Sequence, residues 1–304
     1  MFGKKGEEKT KEEKKAKRTD KKEKKAEELE PQYFRSATGD ETLNYCVYYM
    51  SKIEKIVYFL LAFAVGSGVG LLFYGGIGKN EYGDPTTLTL VLNTIIALIC
   101  GFTAGKLFVP IRTQQLQQGR QKKLRSQFRD MLEALTTALN AGSNVHDAFI
   151  SVQEDLKNQY EEDAFILREL FIINTGTANG FILEELLEDF GKRSGIEDIK
   201  NFADVFQICY RQGGNIKETL RNTNEIISDK MAVEEEIETT VSGSKSEQYI
   251  MLVMPVLLVG MIKLSSPEFG DNFTTLTGII STTIGVVLFV ASYFVGKKLL
   301  EIRI

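Results

Sequence analysis

The sequence predicts an all-α integral membrane protein, with four transmembrane helices in two pairs flanking one cytoplasmic antiparallel helical bundle. Three observations lead there. Four apolar runs, Ile56–Ile77, Leu88–Ile111, Tyr249–Leu264 and Leu276–Gly296, fall two on each side of residues 112–247. That intervening stretch is polar on average, and its apolar residues recur every three or four positions without strand-like alternation. Basic residues gather beside one end of the first, second and fourth runs, and the two short linkers are poor in them.

The first run carries no charge and is long enough for a bilayer core of about 30 Å. The second, over 88–111, is charged only at Lys106, whose stem can snorkel to the headgroups. The third, assigned to 248–264, falls short of the roughly 20 residues a straight span needs and contains Pro255. A helix running in from Glu247 supplies the missing turns, and Lys263 can snorkel at its far end. The fourth, 276–296, is uncharged and is followed by Lys297 and Lys298.

Positive charge near span ends sets orientation. Lys52 and Lys55 precede the first run; Arg112, Arg120, Lys122, Lys123 and Arg125 follow the second; Lys297, Lys298 and Arg303 follow the fourth. The linkers Lys79–Thr87 and Ser265–Thr275 hold one lysine and no basic residue, respectively. Both termini, residues 297–304 among them, and the 112–247 domain are therefore expected on the cytoplasmic face. No signal-peptide pattern is expected, because a charged stretch precedes the first run. Gly66 and Gly70, and likewise Gly101 and Gly105, sit four apart, a spacing that lets helix backbones approach, within one chain in preference to between copies.

Residues 1–35 are rich in Lys and Glu, read as disordered or as a lone solvated helix, and residues 36–55 as a juxtamembrane segment. The chain holds 37 Lys and Arg against 41 Asp and Glu, a net charge of −4, which gives nucleic-acid binding no support. Cys46, Cys100 and Cys209 share no CxxC spacing, so neither a disulfide framework nor a metal site is expected. The sole histidine, His146, stands in a turn with no nucleophile pattern beside it, and no GxxxxGK[ST] or HExxH motif is present. No catalytic residue, cofactor or metal is expected.

Within 112–247, Leu124, Phe128, Met131, Leu135 and Ala138 form one helical stripe, and Val145, Ala148, Phe149, Val152 and Leu156 a second. Further helices read through Phe165–Ile173, Ile182–Phe190 and Ile199–Tyr210, and a long one runs from Ile216 towards the third apolar run. A short unit recurs at the joints: Gly142-Ser-Asn144-Val-His-Asp147-Ala-Phe149 parallels Gly213-Gly214-Asn215-Ile-Lys-Glu218-Thr-Leu220. Glycine ends one helix by tolerating left-handed backbone, the asparagine caps the next, and the acid sits in the positive first turn. Asn179-Gly180-Phe-Ile-Leu-Glu184-Glu-Leu186 is a looser third copy. A bulky β-branched residue at Gly213 or Gly214 is expected to destabilise the domain.

These joints, with Met131-Leu-Glu-Ala-Leu135, Tyr210-Arg-Gln ahead of Gly213 and the span motif Met254-Pro255, resemble the F-family platform proteins of type II secretion and type IV pilus machines. The second half looks most like the B-type protein of the tight-adherence (Tad) branch. The likeness implies a non-enzymatic inner-membrane platform from which pilin subunits join a filament. A hexameric secretion ATPase would engage its cytoplasmic domain in trans. Platform proteins of related systems carry two such domains; a single one implies a half-platform with a second subunit or a second copy of itself. On this reading Glu234, Glu235, Glu236 and Glu238 form a candidate surface for a basic partner, and the cluster at 122–129 faces membrane lipid. A transporter or channel subunit with a regulatory domain is the alternative; conducting paths show ionisable residues inside the spans, whereas here only the terminal Lys106 and Lys263 occur.

Overall fold

The computed structural model describes residues 33–78, 85–212 and 216–300. The charged residues 1–32, most of the first short linker and the joint residues Gly213, Gly214 and Asn215 lie outside the described residues, and so do the expectations placed on them. The chain divides into two compact units, one formed by the stretch up to Tyr49 with Leu116–Asn224, the other by Met50–Gln115 with Glu225–Ile304.

The described residues of the first unit begin with a feature absent from the all-α expectation. Strands β1 (Tyr33–Arg35) and β2 (Glu41–Leu43) pair antiparallel, with Tyr33 opposite Leu43 and Arg35 opposite Glu41. The turn between them passes Gly39 at φ 83°, where the missing Cβ removes the penalty for left-handed backbone. An irregular segment runs from β2 to Tyr49, and the rest of the unit's described residues are helical or connect helices: the later part of α2 (Thr87–Asn140), then α3 (Val145–Gln159), α4 (Phe165–Ala178), α5 (Leu183–Ser194), α6 (Glu197–Gln212) and the start of α7 (Ile216–Ser265). Helices α3 and α4, α4 and α5, and α5 and α6 pack on one another in sequence. Their apolar stripes meet in one core of Leu124, Phe128, Met131, Leu135, Phe149, Val152, Leu156, Ile166, Leu170, Phe190, Phe202 and Phe206, all fully or nearly buried. Phe128 meets Phe202 at 5.3 Å and Phe190 at 6.1 Å between ring centroids, both edge-on, the arrangement the ring quadrupole favours.

In the second unit, α1 (Lys52–Tyr74), α2, α7 and α9 (Leu276–Leu300) each contain a stretch long and apolar enough to cross a membrane. A short helix α8 (Pro267–Asn272) stands between α7 and α9. Ser51 and Glu54 close a reciprocal capping box at the start of α1. Helix α7 continues from Ile216 through Pro255 to Ser265, so the third apolar run is the end of a longer helix. Helix α2 likewise passes through Pro110. The four spaced glycines lie between α1 and α2 of the same chain. A Cβ on Gly66 would overlap Ala104, one on Gly70 would meet Cys100, one on Gly101 would strike Phe63 and Ser67, and one on Gly105 would strike Phe59. Ser67 Oγ donates to the Ala97 carbonyl across the same contact at 2.8 Å, as small polar residues do between membrane helices.

Candidate functional site

The joints of the helical unit show how short turns reverse the chain. At the end of α2, Gly142 takes φ 100° while its N–H donates to the Leu139 carbonyl and that of Ser143 to the Ala138 carbonyl. This pair of bonds is a Schellman ending, which satisfies carbonyls the helix leaves open. Asn144 Oδ1 then accepts from the Asp147 N–H at 2.9 Å, and Asn144 Nδ2 donates to the Asp147 carboxylate. The same ending recurs after α4, where Gly180 (φ 87°) and Phe181 donate to the carbonyls of Thr177 and Gly176.

Beyond Gly180 the copy diverges. Helix α5 begins after Ile182 with no side-chain cap, and Glu184 is buried, with Arg211 Nε of α6 at 3.7 Å. Glu184 thus sets a carboxylate on α5 near a largely exposed guanidinium on α6, too far for a hydrogen bond. Glu218 lies in the first turn of α7, whose preceding joint residues are outside the described residues. Residues Ser143–Asp147 and Tyr210, Ile216 and Lys217 line one surface groove, bringing the first joint beside the approach to the second. His146 is exposed at its rim. Further along α7, Glu235, Glu236 and Glu238 are exposed and Glu234 is half-buried.

The densest polar arrangement involves residues the sequence patterns did not single out. Arg193 of α5 and Glu169 of α4, 3% and 1% exposed, form a two-pronged ion pair with Nη1–Oε1 at 2.9 Å and Nη2–Oε2 at 2.6 Å. Arg193 Nε also donates to Asp189 at 2.7 Å, and Nη1 to the Leu43 carbonyl at 3.2 Å. Tyr45, fully buried, donates its hydroxyl to Glu169 Oε1 at 2.9 Å, while its backbone N–H donates to the Arg193 carbonyl. Burial opposes the charge of Arg193, but hydrogen bonds and attraction from Glu169 and Asp189 outweigh it and raise its pKa. Burial, reinforced by the Glu169 carboxylate, raises the pKa of Tyr45 as well. A buried charge pair is tolerated only when its remaining donors are satisfied, and here Asp189 and Leu43 satisfy them. The signal available in sequence was a carboxylate at position 169, in register with Ile166, Leu170 and Ile173 on the core face of a helix.

A second cluster fixes α2 to the end of α5 and the first turn of α6. Arg125 Nε lies 2.6 Å from Asp198 Oδ2, and Gln121 Nε2 donates to the Ser194 carbonyl at 3.0 Å. Gly195, the left-handed residue ending α5 at φ 63°, leaves no room for a side chain: its Cβ would meet Cys46 Sγ and Gln121. This glycine, preceded by Lys192 and Arg193 and followed by Glu197 and Asp198, carries an ordinary stop-and-start signal that the recurring joint pattern overlooked.

Cys46, Cys100 and Cys209 are free thiols, and among the described residues no His, Cys, Asp and Glu group together as a metal site would require. A cleft of about 640 Å³ in the apolar unit is lined by Gly70, Phe73, Cys100, Pro255, Val286 and Phe289 among others, none of its lining residues being Asp, Glu, Lys, Arg or His.

The unit is thus a helical domain on a chain with four helices long and apolar enough to cross a membrane. Residues 131–263 match the family model for type II secretion system (T2SS), protein F, and the chain carries an F-family domain over that stretch. Neither a curated protein nor a solved structure matches the chain.

Proposed function

We propose that the chain is a non-enzymatic inner-membrane platform of a type II secretion or type IV pilus-like machine, and within that group a half-platform of the Tad B type. The observation that carries this reading is the F-family match over 131–263, on a domain whose last helix runs without a break into an apolar span. On this reading the termini and the helical domain face the cytoplasm, in keeping with the basic residues at the inner span ends. A secretion ATPase acts on the domain in trans, pilin subunits are handled at the spans, and a second platform subunit or a second copy completes the assembly. The glycine joints serve to reverse the chain. The glutamates at 234–238 are the surface offered to a basic partner.

The test is crosslinking of the tagged native protein in its membrane, followed by mass spectrometry of what is captured. Capture of a secretion-type ATPase through 112–247, together with a second platform subunit or a pilin, supports the platform reading. Capture of solute-binding or nucleotide-binding transport subunits in their place overturns it.

A further inference from the structure

The F-family match begins at residue 131, yet the helical unit also includes residues 33–49, which belong to no helix. This stretch runs along α4. Thr38 lies against Gly176 near the helix end, where a Cβ would come within 3.3 Å of its methyl group, and the Tyr45 ring meets Phe165 at the helix start, edge-on at 5.6 Å. Beyond Tyr45 it crosses to α2: Gln117 Nε2 donates to the Cys46 carbonyl at 2.5 Å, and the Arg120 guanidinium lies 4.7 Å from the centre of the Tyr48 ring. One segment therefore bridges α2, α4 and the end of α5.

We propose that Tyr33–Tyr49 is a releasable strap, keyed into the helical domain by Tyr45, that clips α2 to α4 and α5 and opens as a unit while the helices stay folded. The charges favour a parting plane between strap and helices. If the strap leaves, Glu169 and Arg193 keep both contacts with each other and Arg193 keeps Asp189, so no buried charge loses its counter-ion. What the strap gives up is the Tyr45 phenol hydrogen bond, the Arg193 donation to the Leu43 carbonyl, the Arg120–Tyr48 stacking, aromatic burial and a few peptide hydrogen bonds; water entering behind the strap can take the vacated polar positions. Parting α4 from α5 instead would separate the ion pair. The strap's only regular structure is a hairpin of two three-residue strands, too little to hold its shape alone.

Cys46 supplies a built-in reporter. Its thiol sits half-buried against the Lys192 and Arg193 carbonyls, and burial raises its pKa, so a docked strap slows alkylation. The experiment uses the full chain in detergent micelles with Cys100→Ser and Cys209→Ser, following maleimide labelling of Cys46 beside amide hydrogen exchange. With Tyr45 in place, labelling is expected to be slower than in guanidinium-unfolded protein. Y45F should speed it severalfold and Y45A more than tenfold, while amides of α3 to α6 keep their protection. Three results would each overturn the proposal: labelling at the unfolded rate with Tyr45 present, no acceleration in Y45A, or loss of protection throughout α3 to α6 together with the strap.

Discussion

Tyr45 and Glu169 stand 124 residues apart in the chain and share a buried hydrogen bond of 2.9 Å. The bond ties the segment ahead of the first apolar helix to the middle of the F-type domain, and it reaches a carboxylate already held by Arg193.

Glu169→Leu should cost about 3–5 kcal/mol, because it leaves Arg193 charged and buried with only Asp189 as counter-ion. The double change Glu169→Leu with Arg193→Leu should cost clearly less than the two single changes added together. Urea unfolding of the full chain, followed by circular dichroism, compares them; strictly additive losses would mean that the pair is not coupled.

The joints make an internal control possible. Gly142→Val and Gly180→Val place a β-branched residue at φ 100° and 87°, which should cost at least about 1–2 kcal/mol each. Gly119 lies inside α2 with open space around its Cβ position, so Gly119→Ala should stabilise by roughly 0.5–1 kcal/mol. Equal effects at the three positions would show that backbone conformation does not set the outcome.

Between the apolar helices the contrast is steric. Gly105→Leu forces a side chain into the Phe59 ring, whereas Gly68→Ala meets nothing within 4 Å. The first should lower the midpoint of thermal unfolding in detergent, by an amount matching the roughly 1–3 kcal/mol typical of overpacking, and the second should leave it at or slightly above the starting value. A Gly105→Leu protein as stable as its parent would place α1 and α2 farther apart than described.

Alkaline pH should unfasten the domain. An unfolded tyrosine ionises near pH 10. Burial and the hydrogen bond to Asp130 push Tyr160 up to about 12, and Tyr45 is raised as well. Above pH 10 the unfolded chain releases protons that the folded chain keeps, so this contribution is flat below pH 10 and turns against folding as pH rises towards 12. Thermal midpoints measured from pH 9 to 11.5 should fall less steeply in Y45F and Y160F than in the parent; parallel curves would contradict the assignment.

Local periodicity made much of this architecture legible. Leu124, Phe128, Met131 and Leu135 were placed on a core face because they recur at helical spacing, and all four are fully buried. Pattern could not reveal the strap. Residues 33–49 follow neither period over a useful length, and Tyr45 gains its meaning only from Glu169 and Arg193, which no spacing rule links to it. Gly195 was within reach of ordinary capping signals but lacked the asparagine that marked the other joints. The helix leading into the third apolar run was legible too: the stripe that starts at Ile216 points towards it, and the helix runs unbroken from Ile216 to Ser265.

The helical domain is assembled from two separated stretches of chain, with two membrane-spanning candidates threaded between them. During synthesis Tyr45 leaves the ribosome well before Glu169. At about 5–20 residues per second the 124-residue interval lasts on the order of 6–25 seconds. Throughout that time the strap has no groove to occupy, and both apolar segments must be handed to the bilayer while it waits. Closing the strap is therefore a late, long-range step, and it reports that everything between has been made and placed.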